Sequence, residues 1–216
     1  MGYLAMRGSG RVNGVSRLHG RVSRRLFQVL YPGWPEAEVP VGHVTNGVHV
    51  PTWQSEPAIQ LWGKAFGRES PWLPRLAEAA RAVSRLPDEA LWDYRAAARQ
   101  TLVEYVRRRY QASLLRRNAP ADAVRRGRHV LDPNLLTLGF ARRFTEYKRP
   151  TLLLHDEARL ARILRHPEQP MQLVVAGKAH PNDDAGKAMV QRMARFSWRE
   201  DVRDRVVFLE DYDMAL

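Results

Sequence analysis

Four cationic side chains crowd one short stretch of this sequence. In Gly139-Phe140-Ala141-Arg142-Arg143-Phe144-Thr145-Glu146-Tyr147-Lys148-Arg149-Pro150, the cations Arg142, Arg143, Lys148 and Arg149 separate one apolar run (Leu135, Leu136, Leu138, Phe140) from another (Leu152, Leu153, Leu154). Arg offers a planar fork of donors and Lys a compact point charge, so together they suit a phosphate. The first run predicts a buried parallel strand over 135–140, and Pro150 predicts a helix opening at its first turn and running to Leu164. A turn at the carboxyl end of a strand, beside the positive end of a helix, is where open α/β sheets bind ligands. On its own such a turn serves any phosphorylated ligand.

The elements that would position this turn follow the same pattern. Met171–Ala176 and Val206–Leu209 read as further strands, with a helix from Asp183 to about Phe196 between them, giving βαβαβ, half of a doubly wound sheet. The second strand ends in Ala176-Gly177-Lys178-Ala179-His180-Pro181-Asn182-Asp183, another small-residue turn before a helix. Lys178 by itself carries little, because strand-end lysines commonly reach solvent. The Gly-x-Gly-x-x-Gly fingerprint and the Walker Gly-Lys-Ser/Thr are absent, which disfavours generic dinucleotide and P-loop sites.

Upstream, Met1 to about Gly20 reads as a loop feeding a helix in which Val15, Leu18, Val22 and Leu26 recur at helical spacing, as far as Phe27. Tyr31-Pro32-Gly33-Trp34-Pro35 ends it. In His43-Val44-Thr45-Asn46-Gly47-Val48-His49-Val50-Pro51-Thr52-Trp53 the Asn46-Gly47 dipeptide between alternating flanks predicts a hairpin or, alternatively, a ligand turn. His43 and His49 lack the spacing of a helical metal pair, and no carboxylate lies between them. From Pro57 to about Arg128 the reading is helical, with breaks at Ser70-Pro71, Pro74 and Leu86-Pro87-Asp88. Leu91, Tyr94, Leu102, Tyr105 and Val106 mark an apolar face from which Arg99, Arg107, Arg108 and Arg109 are expected to project away. Arg125-Arg126-Gly127-Arg128 reads as a solvated face, since no aromatic stacking platform is interleaved with it.

Composition bounds the rest. The 216 residues suffice for one large or two small domains, and 44% hydrophobic content with six Trp excludes a disordered tail. No run approaches the ~20 apolar residues of a spanning helix, and no export signal is visible, so a cytoplasmic protein is expected. With no cysteine there is neither a disulfide nor a thiolate metal site. The formal charge of +12 comes from 35 cations of which only Lys64, Lys148, Lys178 and Lys187 are lysine. Arginine spread through every region reads as composition and solvated faces before it reads as a nucleic-acid surface.

Taken in order, the motifs resemble the α-glucan (glycogen, maltodextrin) phosphorylases over nearly the whole chain. The resemblance rests on Val12-Asn13-Gly14-Val15-Ser16-Arg17-Leu18-His19, Thr45-Asn46-Gly47-Val48, Arg142-Arg143-Phe144-Thr145-Glu146-Tyr147-Lys148-Arg149, Ala176-Gly177-Lys178-Ala179 and Phe208-Leu209-Glu210-Asp211-Tyr212. The wording from His43 to Trp53 and the Lys178-Ala179-His180-Pro181 turn are similar to the shorter bacterial and archaeal branch. The resemblance implies a two-lobed glycosyltransferase fold, pyridoxal 5′-phosphate as cofactor, and phosphorolysis of α-1,4-glucan by orthophosphate to release glucose 1-phosphate. Holding two phosphates together against their like charge requires fixed cations.

Carried over by position, the resemblance implies that Arg143 and Lys148 hold the substrate phosphate. Asn46 and Tyr147 then bind glucosyl hydroxyls, while Arg142, Trp53 and Tyr212 lie near the cofactor. It also implies a division into the end of a substrate lobe (1–60), interdomain helices (61–130) and the first half of a cofactor-binding Rossmann-like lobe (131–216). The family's Schiff-base lysine lies beyond the Phe-Leu-Glu-x-Tyr motif, and none of the four lysines here occupies that place. The expectation is a central portion of such an enzyme, inactive alone, completed by missing lobe segments or a homo-oligomer. A nucleotide-sugar glucosyltransferase of glycogen-synthase type and a basic nucleic-acid-binding protein are the rival readings.

Overall fold

The computed structural model describes residues 1–66 and 76–212, so the expected breaks at Ser70-Pro71 and Pro74 lie outside the described residues. The described chain divides into two compact units, one holding Met1–Gln54 and the other beginning at Ser55.

The first unit contains α1 (Gly2–Gly8), β1 (Asn13–Gly14), α2 (Arg17–Phe27), β2 (Gly42–His43) and α3 (Val50–Trp53). Part of the expected opening loop is therefore helical: α1 buries Met6 against Val39 and Val41. The Ser16 hydroxyl caps α2 by accepting the His19 N–H at 3.1 Å. The apolar periodicity located this helix, yet Val15, Leu18, Val22 and Leu26 are all exposed, while Gly20 and Ser23 face inward. Small residues are needed there because the backbone of β2 comes close. An ideal Cβ on Gly20 would lie 2.9 Å from the Gly42 carbonyl oxygen.

The hairpin reading of Asn46-Gly47 is wrong. β2 runs parallel to β1, with Asn13 opposite Gly42, and the pairing continues through Val44 N–H to Gly14 C=O (2.9 Å) and Asn46 N–H to Val15 C=O (3.1 Å). A tight I′ turn needs positive φ at both central residues, and neither Asn46 nor Gly47 has it. A long-range partner therefore overrides the local dipeptide signal.

The second unit contains α4 (Glu56–Phe66), α5 (Leu76–Val83), α6 (Asp88–Arg116), α7 (Ala121–Arg126), β3 (Leu136–Ala141), α8 (Glu157–Leu164), β4 (Met171–Ala176), α9 (Asp184–Ser197) and β5 (Val206–Leu209). The sheet is parallel throughout in the order β3-β4-β5, so this unit is α/β and the βαβαβ expectation holds. Alternation along the strands splits the core between two faces. Leu173, Val175 and Phe208 meet Leu164, Met193 and Phe196 of α8 and α9. Val174, Ala176, Val207 and Leu209 meet Val103, Val106 and Tyr110 of α6. Both faces are covered, which is why β4 and β5 read as unbroken apolar runs. β3, at the edge, leaves Leu136 and Leu138 exposed.

A side chain keys the register of β3 against β4. Gln172 is fully buried, accepts the Asp132 N–H (2.8 Å), and donates to the Asp132 carbonyl (2.8 Å) and the Thr137 hydroxyl (2.7 Å). All three contacts lie at the entry to β3, opposite the start of β4.

Two expectations for the helices need correction. On α6 the fully buried positions are Val103 and Val106, while Leu102 is exposed. Three of the arginines expected to point away turn back to backbone carbonyls instead. Arg99 reaches Pro133 (2.9 Å), Arg107 reaches Val130 (2.9 Å) and Leu131 (2.7 Å), and Arg109 reaches Glu210 (3.3 Å). Their stems cover apolar surface while the guanidinium groups satisfy half-buried acceptors. The helix after β3 also begins later than Pro150. Arg149 adopts a left-handed φ of 49°, Leu152–Asp156 form a 3₁₀ segment, and α8 starts only where the Asp156 carboxylate caps the Arg159 N–H at 2.8 Å.

Candidate functional site

All three parallel strands end at one edge, and the stretches that follow them differ in charge. After β3 come Arg142, Arg143, Lys148 and Arg149; after β4 comes Lys178; after β5 come Glu210, Asp211 and Tyr212. The acidic pair is already engaged with α6. Glu210 accepts from the Ser113 hydroxyl at 2.8 Å and pairs with Arg117, while Asp211 lies 3.8 Å from Arg116. The cations after β3 and β4 have no ion pair or side-chain hydrogen bond among the described residues, and Lys148 Nζ lies 5.6 Å from the centre of the Tyr147 ring. One carboxylate, Glu146, lies in the same turn and is unpaired with them, so the excess of cations at the carboxyl edge of a parallel sheet favours an anion.

Phe144 fixes the turn that carries them. It is fully buried and meets Phe140 and Phe208 edge-on, at 6.2 and 5.9 Å between ring centres. Backbone hydrogen bonds from Arg142 N–H to Ala176 C=O (3.1 Å) and from Phe144 N–H to Lys178 C=O (3.0 Å) tie the turn to the end of β4. Gly177 is required beneath it, because an added Cβ would lie 2.5 Å from the Phe144 ring and 2.3 Å from the Arg142 carbonyl oxygen. The Thr145 hydroxyl, in the same turn, is buried without a hydrogen-bond partner.

The structure places Arg142, Arg143, Tyr147, Lys148 and Tyr212 at or beyond the strand ends of the second unit. Arg142, Arg143 and Tyr147 are exposed, Lys148 is half-buried, and Tyr212 packs against the α6 side of the sheet. Asn46 and Trp53 belong to the first unit, where both are exposed. Sequence reasoning passed over Phe144, Gly177 and Gly186 and undervalued Lys178. The available signal was an aromatic residue lodged among four cations, followed by a second glycine-bearing turn one strand later.

A cleft of about 280 Å³ elsewhere in this unit, lined by Tyr110, Arg117, Arg126, Trp198 and Arg203, is electrostatically different. Arg126 is bound to Asp122 at 2.5 Å, which holds that carboxyl below its ordinary range, and Arg203 lies 3.4 Å from Glu200. Arg117 pairs with Glu210 and stacks on Trp198 at 5.5 Å. Burial pushes the Tyr110 phenol up despite these neighbouring cations. The three cations are already neutralised. Among the described residues there is no cluster of three or more His, Asp or Glu able to hold a metal, and no helix is long and apolar enough to cross a membrane.

A parallel α/β sheet with a cationic turn at its carboxyl edge suits an anionic ligand, and sequence similarity narrows the class. No protein-family model matches the chain. Over its full length it is 45% identical to the glycogen phosphorylase of Mycobacterium tuberculosis (strain CDC 1551 / Oshkosh), covering 25% of that protein. It is 36% identical to the maltodextrin phosphorylase of Thermococcus litoralis, again along the whole chain and 25% of the relative. The glycogen phosphorylase of Aquifex aeolicus is 36% identical over 95% of this chain and 29% of its own length. The chain belongs to the glycogen and maltodextrin phosphorylase family, and it spans about a quarter of the length of these relatives.

Proposed function

We propose that the chain serves the phosphorolysis of α-1,4-glucan, with Arg143 and Lys148 holding the orthophosphate that attacks the sugar. The observation that carries this reading is the group of cations on the Arg142–Lys148 turn that have no ion-pair partner among the described residues, in a chain whose relatives are named phosphorylases. Fixed cations of this kind draw a phosphate in and stabilise the negative charge that it and the leaving oxygen share during transfer. Tyr147 and Asn46 then position glucosyl hydroxyls. In the same reading, residues 1–60 close a substrate lobe, 61–130 form interdomain helices and 131–216 open the second lobe of a two-lobed glycosyltransferase.

The donor set fits the phosphate end of pyridoxal 5′-phosphate, since Arg142 is an exposed cation without a partner beside the substrate turn. Arg142 would hold that phosphate, and Tyr212 and Trp53 would flank the ring. When bound, the cofactor supplies a second phosphate able to exchange a proton with the first. None of the four lysines, Lys64, Lys148, Lys178 and Lys187, occupies the place that the resemblance gives to the Schiff-base lysine, so this reading assigns no covalent anchor here.

The test is phosphorolysis of maltodextrin by the longest natural protein that carries this chain, with Arg143→Ala and Lys148→Ala. Loss of a charge-assisted contact to phosphate is worth ~2–4 kcal/mol, so turnover should fall ~30- to 1000-fold. Unchanged turnover in both variants refutes the assignment.

A further inference from the structure

We infer that the anion site is bipartite: Lys178 belongs to it, paired across the strand ends with Arg143, and Phe144 is the positioning residue that holds the two turns in register. This deepens the phosphate reading above and rests on it.

The ladder between β3 and β4 ends with Ala141 opposite Ala176. The hydrogen bonds Arg142 N–H to Ala176 C=O and Phe144 N–H to Lys178 C=O continue the parallel pattern past the last residue of each strand. In that pattern the bond from Phe144 sets Arg143 opposite Lys178. Paired residues of a parallel ladder lie on the same face of the sheet, with backbones roughly 5 Å apart. Two like charges are thereby placed side by side, and neither has a carboxylate partner among the described residues. An anion with several oxygens is the ligand that turns this repulsion into two charge-assisted contacts.

Phe144 keeps the pair from separating. Its ring occupies the space that a side chain at Gly177 would need, and its carbonyl oxygen would lie 2.6 Å from a Cβ on Gly186, the residue whose N–H bonds to the Asp183 cap of α9 at 2.8 Å. The turn after β3 is thus wedged between the end of β4 and the start of α9. Lys178, by contrast, is exposed and can be changed without touching this packing.

The experiment titrates the longest natural protein that carries this chain with inorganic phosphate, followed by ³¹P NMR, for the natural sequence, Lys178→Gln, Lys178→Arg, Arg143→Gln and the Lys178→Gln/Arg143→Gln pair, with thermal melts as the control for folding. Lys178→Gln should weaken phosphate binding about tenfold at unchanged Tm, Lys178→Arg should restore most of it, and the double variant should lose less than the product of the two single losses. Gly177→Ala should weaken binding with both cations intact. If the natural protein binds phosphate and Lys178→Gln binds it equally well, the bipartite site is refuted and the reading of Arg143 stands. If the natural protein binds no phosphate, both fall.

Discussion

Replacing Gln172 by Leu tests whether one buried amide fixes the β3–β4 register. Leu nearly matches its volume, so the change isolates polarity. Three contacts are lost, to the Asp132 N–H, the Asp132 carbonyl and the Thr137 hydroxyl, all between 2.7 and 2.8 Å. Each contributes about 1 kcal/mol net, and because Asp132 is exposed, water can take up the groups that the amide releases. Burying the Leu side chain returns about 1–1.5 kcal/mol. The balance is a destabilisation of about 1.5–2 kcal/mol. With a urea slope of about 2 kcal/mol/M, the midpoint should drop by roughly 1 M. Because the chain has two compact units, the transition should be followed by hydrogen exchange of peptides covering 132–141 and 171–176, which report the second unit alone. Thr137→Val should cost about 1 kcal/mol alone and less in the Gln172→Leu background, where only its hydrogen bond to the Leu135 carbonyl (3.2 Å) remains to be lost. A midpoint shift below about 0.5 M, with exchange in both peptides unchanged, would refute the reasoning.

Other outcomes follow from the same packing and charges. Phe144→Ala should destabilise the second unit by about 3–5 kcal/mol, seen as a lower urea midpoint, because a fully buried ring leaves a cavity between Phe140 and Phe208. Val22→Lys and Leu26→Lys, on the exposed stripe of α2, should each change the melting free energy of the isolated chain by less than about 0.5 kcal/mol. The Arg199 hydrogen bond holds the Asp201 carboxyl below its ordinary value of 3.8, so this carboxylate stabilises the fold above that pH and the contribution fades as pH falls through the lowered value. Asp201→Asn should therefore cost up to about 1 kcal/mol at neutral pH and flatten the acid limb of a stability–pH titration below about pH 4.

The three long strands were legible to within a residue: β4 and β5 because a strand buried on both faces is a contiguous apolar run bounded by turn residues, and β3 as an apolar run too, although at the sheet edge it is not the buried strand expected. The signals that failed were local ones overruled by distant partners. Asn46-Gly47 looks like a hairpin until β1 supplies a parallel neighbour. Pro150 looks like a helix start until Asp156, six residues on, provides the cap. The arginines of α6 read as solvated because periodicity registers charge and cannot register a carbonyl on another segment. The site was legible as a cationic turn, but not as two turns. Lys178 gains meaning only once the ladder places it opposite Arg143, and Gly177 only once Phe144 is seen to need its space.

The edge position of β3 has a practical consequence. Six residues, Leu-Thr-Leu-Gly-Phe-Ala, contain no charge and no proline, and among the described residues they pair with β4 alone. Sheets that end in solvent usually guard their last strand with lysine, proline or a bulge. This one is unguarded, with Leu136 and Leu138 exposed. Colloidal behaviour, more than folding free energy, will then limit handling of the isolated chain: the concentration at which light scattering rises should climb when Leu136 is changed to Lys, while the melting temperature stays where it was.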